Sequence, residues 1–200
     1  VGFESLQSDQ CLLGAEQSGH VTAVGFDLYL RMLEEAVGRV QAGDDAPKAV
    51  PTDVSLDLPA YLPDDYIASA DAKLDVYRRL TALTDPARIE ELKAEVRDRF
   101  GPLPKEAHHL FASAILRLVG GEMGIEGILV HGDEARITFR DSAAPRLKGL
   151  NAAFGEVQFR ADVRRVHPLS LKLTRLGGAG ILDGLVRALQ ILRPNDPSRA

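Results

Sequence analysis

The spacing of hydrophobic residues changes along the chain from a helical period to a strand period. In the first half, apolar residues recur every three or four positions, which predicts helices with one buried face. One such stripe covers residues 26–40, and three further helices are predicted to begin after Ser69, after Asp85 and at Pro104, residue types that favour a helix start. Between the first two helices, at residues 54–58, apolar and polar side chains alternate, which predicts a half-buried strand.

Glycines and short alternating segments divide the second half. Gly101 is predicted to end one helix and the pair Gly120–Gly121 the next. Segments 125–130 and 135–140 flank a polar turn and predict a hairpin. The later elements are predicted as a short helix at 143–154, strands at 157–159, 163–166 and 169–173, and a final helix from Ile181. Together these indicate an α+β fold: a helical N-terminal half, then a small antiparallel or mixed sheet with helices and a C-terminal helix, the strand order being open.

Length and charge narrow the possible classes of protein. The 200 residues suffice for one domain, or for one domain and a piece of a neighbour. With 24 Lys and Arg against 29 Asp and Glu, the net charge is -5, which argues against a dedicated nucleic-acid binder without excluding a local basic face. The longest weakly charged stretch, 107–121, is too short for a bilayer, no secretory signal is recognised, and the single Cys11 has no disulfide partner. We therefore expect a cytoplasmic protein with no membrane segment.

Signatures of catalysis and of cofactor binding are absent from the sequence. It contains no Gly-rich phosphate loop, no nucleophile elbow, no H-E-x-x-H and no C-x-x-C. Of the five histidines, the adjacent His108 and His109 would point about 100° apart on a helix and could not share one metal ion. We therefore predict no catalytic residue, no cofactor site and no metal ligand in this chain.

Two charged segments are candidate interaction sites. Glu95 and Asp98 stand three residues apart on the predicted helix after Asp85, so both carboxylates face the same way and could accept arginines from another domain. A solvated helix face explains the same spacing. Near the end of the chain, the basic segment 160–175 could bind phosphate or an acidic partner, and a solvated sheet face is the alternative there. Its basic residues are Arg160, Arg164, Arg165, Lys172 and Arg175.

Several blocks of sequence, in order and at matching spacing, resemble the C-terminal region of bacterial transcription-repair coupling factor (Mfd). They are L-G-A-E-Q-S-G-H at 13–20, V-G-F-D-L-Y at 24–29, L-P-D-D-Y-I at 62–67 and E-V-R-D-R-F-G-P-L-P at 95–104. The resemblance implies that Gly14, Gln17, Ser18 and Gly19 are the remnant of a translocation motif, whose preceding arginine is absent here. It also implies an unmatched segment at 1–11, the end of a motor lobe with its exit helix at 12–40, a linker at 41–49 and a C-terminal regulatory domain at 50–200.

The resemblance also implies a function. Members of that family are ATP-dependent DNA translocases that displace stalled RNA polymerase and recruit UvrA in nucleotide excision repair. Their terminal domain docks on a UvrB-like module of the same protein, masks the UvrA-binding surface and restrains the motor, and Glu95 and Asp98 fall where it faces arginines of that module. ATP and magnesium belong to the motor, so this chain is not expected to hydrolyse ATP. The alternative is a nucleic-acid-binding module that uses the basic segment 160–175.

Overall fold

The computed structural model describes residues 52–141, 154–178 and 180–192. The predictions for residues 1–11, 12–40 and 41–49 lie outside the described residues, as do the translocation-motif remnant and nearly all of the short helix predicted at 143–154.

Helices and strands are both present, which confirms the predicted α+β class. They follow in the order β1 (Asp53–Leu56), α1 (Ala70–Ala82), α2 (Pro86–Phe100), α3 (Lys105–Glu122), β2 (Ile125–His131), β3 (Glu134–Phe139), β4 (Phe159–Val166), β5 (Leu169–Arg175) and α4 (Ile181–Leu192). The strands form one mixed sheet of five in the order β1-β2-β3-β5-β4. The pair β1–β2 is parallel because helices α1 to α3 carry the chain back to the start of the sheet between these two strands. The other three pairs are antiparallel.

Capping hydrogen bonds confirm the helix starts predicted at Ser69 and Asp85, and α3 begins as predicted at Pro104, which makes no side-chain cap. The Ser69 hydroxyl accepts from the Ala72 amide at 3.3 Å, and the Asp85 carboxylate accepts from the Ala87 amide at 2.9 Å. Each cap satisfies an amide that has no partner within the helix, which typically contributes about 1 kcal/mol. Helix α2 ends as predicted at Gly101, whose φ of 95° suits a residue without a side chain.

Two predicted boundaries are wrong. Helix α3 does not stop at Gly120–Gly121 but continues to Glu122, because Gly120 serves a close packing contact instead of a helix end: a Cβ there would lie 2.6 Å from Thr52 Oγ1. The strands predicted at 157–159 and 163–166 are replaced by a single strand, β4, which begins at Phe159 and continues to Val166. A bulge between Val163 and Arg165 interrupts the alternation that would have shown this continuity.

The core lies between the helices and one face of the sheet. Along β3, Ala135, Ile137 and Phe139 are buried, and they point towards the same hydrophobic core as Phe111 of α3 and Leu185 of α4. The alternating positions of the strand point to the opposite face, which none of the described helices covers. The domain therefore presents an open sheet face on one side and its helices on the other.

Candidate interaction surfaces

The first predicted site residue, Glu95, is engaged within the chain. Its carboxylate accepts two hydrogen bonds from the guanidinium of Arg79 on α1, at 2.7 Å to Nη1 and 2.5 Å to Nη2. The hydrogen bonds from Arg79 hold the pKa of Glu95 below its usual value. Sequence reasoning missed this partner because the pairing of α1 with α2 brings together residues sixteen positions apart.

The second predicted site residue, Asp98, is open to solvent. Its side chain is 74% exposed, and the ion pair it makes is with the adjacent Arg97 at 3.4 Å. Because three residues turn a helix by about 300°, Asp98 and Glu95 lie about 60° apart on the same side of α2. The structure therefore brings the two residues together, with Asp98 free to accept an external cation and Glu95 oriented by Arg79.

Two of the four segments that carry the family resemblance, 62–67 and 95–104, lie in the described residues and pack on each other beside these carboxylates. The Tyr66 hydroxyl donates to the Gly101 carbonyl oxygen at 2.9 Å, and the Tyr66 ring meets Phe100 edge-on with centroids 6.2 Å apart. Burial raises the pKa of Tyr66. The guanidinium of Arg99 stacks 5.0 Å above the ring of Phe100. The end of α2 is thus fixed in position by local contacts.

A shallow groove of about 310 Å³ lies next to this end of α2. It is lined by phenol, carboxylate and proline side chains: Tyr61, Pro63, Asp65, Tyr66, Pro102, Pro104 and Glu106. Aromatic faces and carboxylates together suit a guanidinium group, which stacks and forms bidentate hydrogen bonds. We call the groove together with Glu95 and Asp98 the acidic surface.

The basic segment 160–175 is only partly available for binding. Arg175 pairs with Asp133 at 2.6 Å, Lys172 with Glu134 at 2.5 Å, and Arg160 lies 3.5 Å from Asp162. Three of the five predicted cations thus have acidic neighbours supplied by the fold.

The remaining two cations, Arg164 and Arg165, lie on the open sheet face together with Arg136, an arginine outside that segment. A cavity of about 560 Å³ is lined by Arg136, Thr138, Arg164, Arg165, Pro168, Ser170 and Lys172. Arg136, Arg164 and Arg165 have no ion pair in the part of the chain that the structure describes. The alternation of β3 places Arg136 on the face opposite the core, but only the β3–β5 pairing, which the sequence left open, sets it beside Lys172. We call this cavity the basic cleft.

Two of the described histidines contact groups that lie far from them in the sequence. His109 Nδ1 donates to the Pro59 carbonyl oxygen at 2.8 Å, and His131 Nδ1 lies 2.9 Å from the Asp57 carboxylate. Within residues 52–141, 154–178 and 180–192, no group of three or more His, Cys, Asp or Glu side chains is placed to hold a metal ion. None of the helices described is long and apolar enough to cross a membrane.

Comparison with known proteins defines the class of this domain. Residues 56–150 match the model of the TRCF domain family, and this range holds helices α1 to α3 and strands β2 and β3. The chain is similar to the solved C-terminal domain of a transcription-repair coupling factor, with a TM-score of 0.59 and 21% identity over 72% of this chain and 95% of that one.

The named relatives are transcription-repair-coupling factors. The protein of Myxococcus xanthus is 32% identical over 186 residues, or 91% of this chain, and that of Escherichia coli is 39% identical over 118 residues, or 57% of this chain. The chain spans 15% and 10% of the lengths of these two relatives. The resemblance seen in the sequence is confirmed: this is a domain of the transcription-repair coupling factor family.

Proposed function

We propose that this chain is a regulatory interaction domain that docks through its acidic surface on a UvrB-like module of the same longer protein. In the docked state it masks the UvrA-binding surface and restrains the motor that moves along DNA and displaces RNA polymerase in the cytoplasm. ATP and magnesium belong to that motor in this proposal, and none of the described residues is assigned to hold them. The observation that carries the proposal is Asp98, an exposed carboxylate beside a pre-oriented Glu95.

The acidic surface has the chemistry that an arginine-bearing partner requires. Asp98 can accept two parallel hydrogen bonds from one guanidinium group. The internal contact that it would give up is the long one of 3.4 Å to the neighbouring Arg97. Glu95 already accepts two hydrogen bonds from Arg79, so its carboxylate is held in one orientation and contributes negative potential to the acidic surface. We therefore assign the larger share of docking to Asp98.

Docking of this kind can be reversed by a modest change in free energy. An exposed ion pair contributes less than about 1 kcal/mol, and several are needed for a stable closed state. A two-state restraint shifts when another ligand binds the open state better. Loading of the motor on DNA would supply that bias without any change in the chemistry of the acidic surface.

The test is an isothermal calorimetric titration of the full 200-residue chain against the UvrB-like module. We expect saturable binding, weakened at least about tenfold by Asp98→Arg, because the reversal removes an attractive ion pair and also places a cation against the partner's arginines, and like charges facing each other across an interface cost several kcal/mol. Glu95→Arg should weaken it too, but Arg79→Ala, which frees the Glu95 carboxylate, should not.

The matched control reverses two carboxylates elsewhere on the domain. Glu126→Arg/Glu156→Arg alters the net charge as much as a double reversal of Glu95 and Asp98, at exposed positions away from α2. It should leave the affinity within about twofold of the parent chain if docking is local rather than a general charge effect. Equal weakening by the control and by Glu95→Arg/Asp98→Arg would refute the proposed surface.

A further inference from the structure

Strand β4 ends in an exposed segment with one strand neighbour. Among the described strands, β4 pairs only with β5, so it forms an edge of the sheet. Its last four residues, Val163–Val166, are all exposed, with Val163 at 55% and Val166 at 64%. An edge of eight residues offers unpaired amide and carbonyl groups that can accept another extended chain.

The two faces of this strand end differ in chemistry. Arg165 aligns with Ser170 and through it with Thr138, so its side chain joins the basic cleft on the open sheet face. Val163 aligns with Leu171 and Val166 with Leu169, both of which point towards the core side of the sheet. A strand added to this edge would thus meet arginine on one face and valine on the other.

The charges around the basic cleft favour a protein ligand over a nucleic acid. Lys172 is already paired with Glu134, and Asp162 aligns directly with Lys172, so carboxylates stand among the cations. Among the residues that the structure describes, the face formed by Arg136, Arg165 and Lys172 carries no Phe, Tyr or Trp side chain on which a base could stack. Burial of the exposed valines is favourable against an apolar partner surface. A nucleic-acid backbone, which is charged and hydrated, offers no such surface.

We propose that the outer edge of β4 binds an extended segment of a partner protein in which acidic and aliphatic residues alternate. The acidic side chains of that segment enter the basic cleft and pair with Arg164 and Arg165 of β4, while Arg136, two strands further into the sheet, adds positive potential. Its aliphatic side chains cover Val163 and Val166 on the opposite face, and its backbone extends the sheet. This site is separate from the acidic surface and does not depend on the proposed docking on a UvrB-like module.

The probe is a labelled peptide of about eight residues, a usual strand length, in which Glu and Val alternate. Binding to the full chain is followed by fluorescence anisotropy. Arg164→Glu/Arg165→Glu should weaken binding at least about tenfold, because it removes two charge-assisted contacts. The matched control, Arg78→Glu/Lys105→Glu, changes the net charge equally on α1 and α3 and should have little effect.

Three further probes separate the possible modes of binding. A peptide with the same residues arranged as one block of Glu and one block of Val keeps the net charge but loses the two-faced pattern, so it should bind more weakly. Methylation of alternate backbone nitrogens removes donors needed for strand addition and should abolish binding. Undiminished binding of either peptide, no binding of the alternating peptide, or tighter and steeply salt-dependent binding of a short duplex DNA in the same cleft would each overturn the proposal.

Discussion

Helix α4 contains a glycine in its interior because an aromatic ring occupies the place of a side chain. A Cβ added to Gly184 would collide with Cε2 of Phe159 and lie 3.2 Å from its Cζ. Phe159 is 4% exposed and begins β4, so its ring cannot move out into solvent. The contact fixes α4 on the sheet close to the strand that forms the proposed binding edge.

We expect Gly184→Ala to lower the free energy of unfolding by about 1 kcal/mol. Overpacking a core costs about 1–3 kcal/mol, and alanine returns about 1 kcal/mol through its higher helix propensity. Urea denaturation followed by circular dichroism measures the difference. The variants Arg187→Gly and Arg187→Ala, at an exposed position of the same helix, measure the propensity gain without a packing contact.

The decisive measurement repeats the substitution in a Phe159→Leu background. With the ring removed, the added methyl group has room, so Gly184→Ala should raise the free energy of unfolding. The gain should be close to the difference in free energy of unfolding between the Arg187→Ala and Arg187→Gly variants. If Gly184→Ala stabilises the parent chain as much as it stabilises the Phe159→Leu chain, the packing argument is wrong.

Two further outcomes follow from contacts of the helices. Because Arg79 holds the pKa of Glu95 below its usual value, the pair stabilises the fold above the unfolded pKa, and this contribution is lost as the pH falls through the folded pKa. Arg79→Ala should raise the pKa of Glu95 in an NMR titration and flatten that pH dependence. Asp85→Ala should cost about 1 kcal/mol in chemical denaturation by removing the cap on the Ala87 amide, and Asp85→Asn should retain most of it.

Local signals in the sequence predicted the elements well. The caps at Ser69 and Asp85 and the turn around Gly132 each act through residues a few positions away, and all three are confirmed. Gly120 was misread because a glycine that ends a helix and a glycine that admits Thr52 look the same in sequence. Only the tertiary fold shows which role applies.

The chemistry of the candidate surfaces was harder to predict because it depends on pairing across elements. Glu95 and Asp98 look equivalent at their spacing, yet the neighbouring helix supplies Arg79 to only one of them. In the same way, β3 adds Arg136 to the basic cleft, while acidic residues of the β2–β3 turn region neutralise Lys172 and Arg175. Segment composition could not distinguish free cations from paired ones.

The two surfaces lie on different sides of the domain, which has a thermodynamic consequence. Helix α2 packs against α3, and α3 packs against the core side of the sheet, so the acidic surface is separated from the open sheet face by a helix layer and the sheet. Sites that share no residue and no mobile element are expected to contribute additively. The alternating peptide should therefore leave the affinity for a UvrB-like module unchanged, and by reciprocity the module should leave the affinity for the peptide unchanged. A measured coupling between the two would mean that the domain transmits a change between α2 and β4, and the rigid packing inferred from Gly120 and Gly184 would then be incorrect.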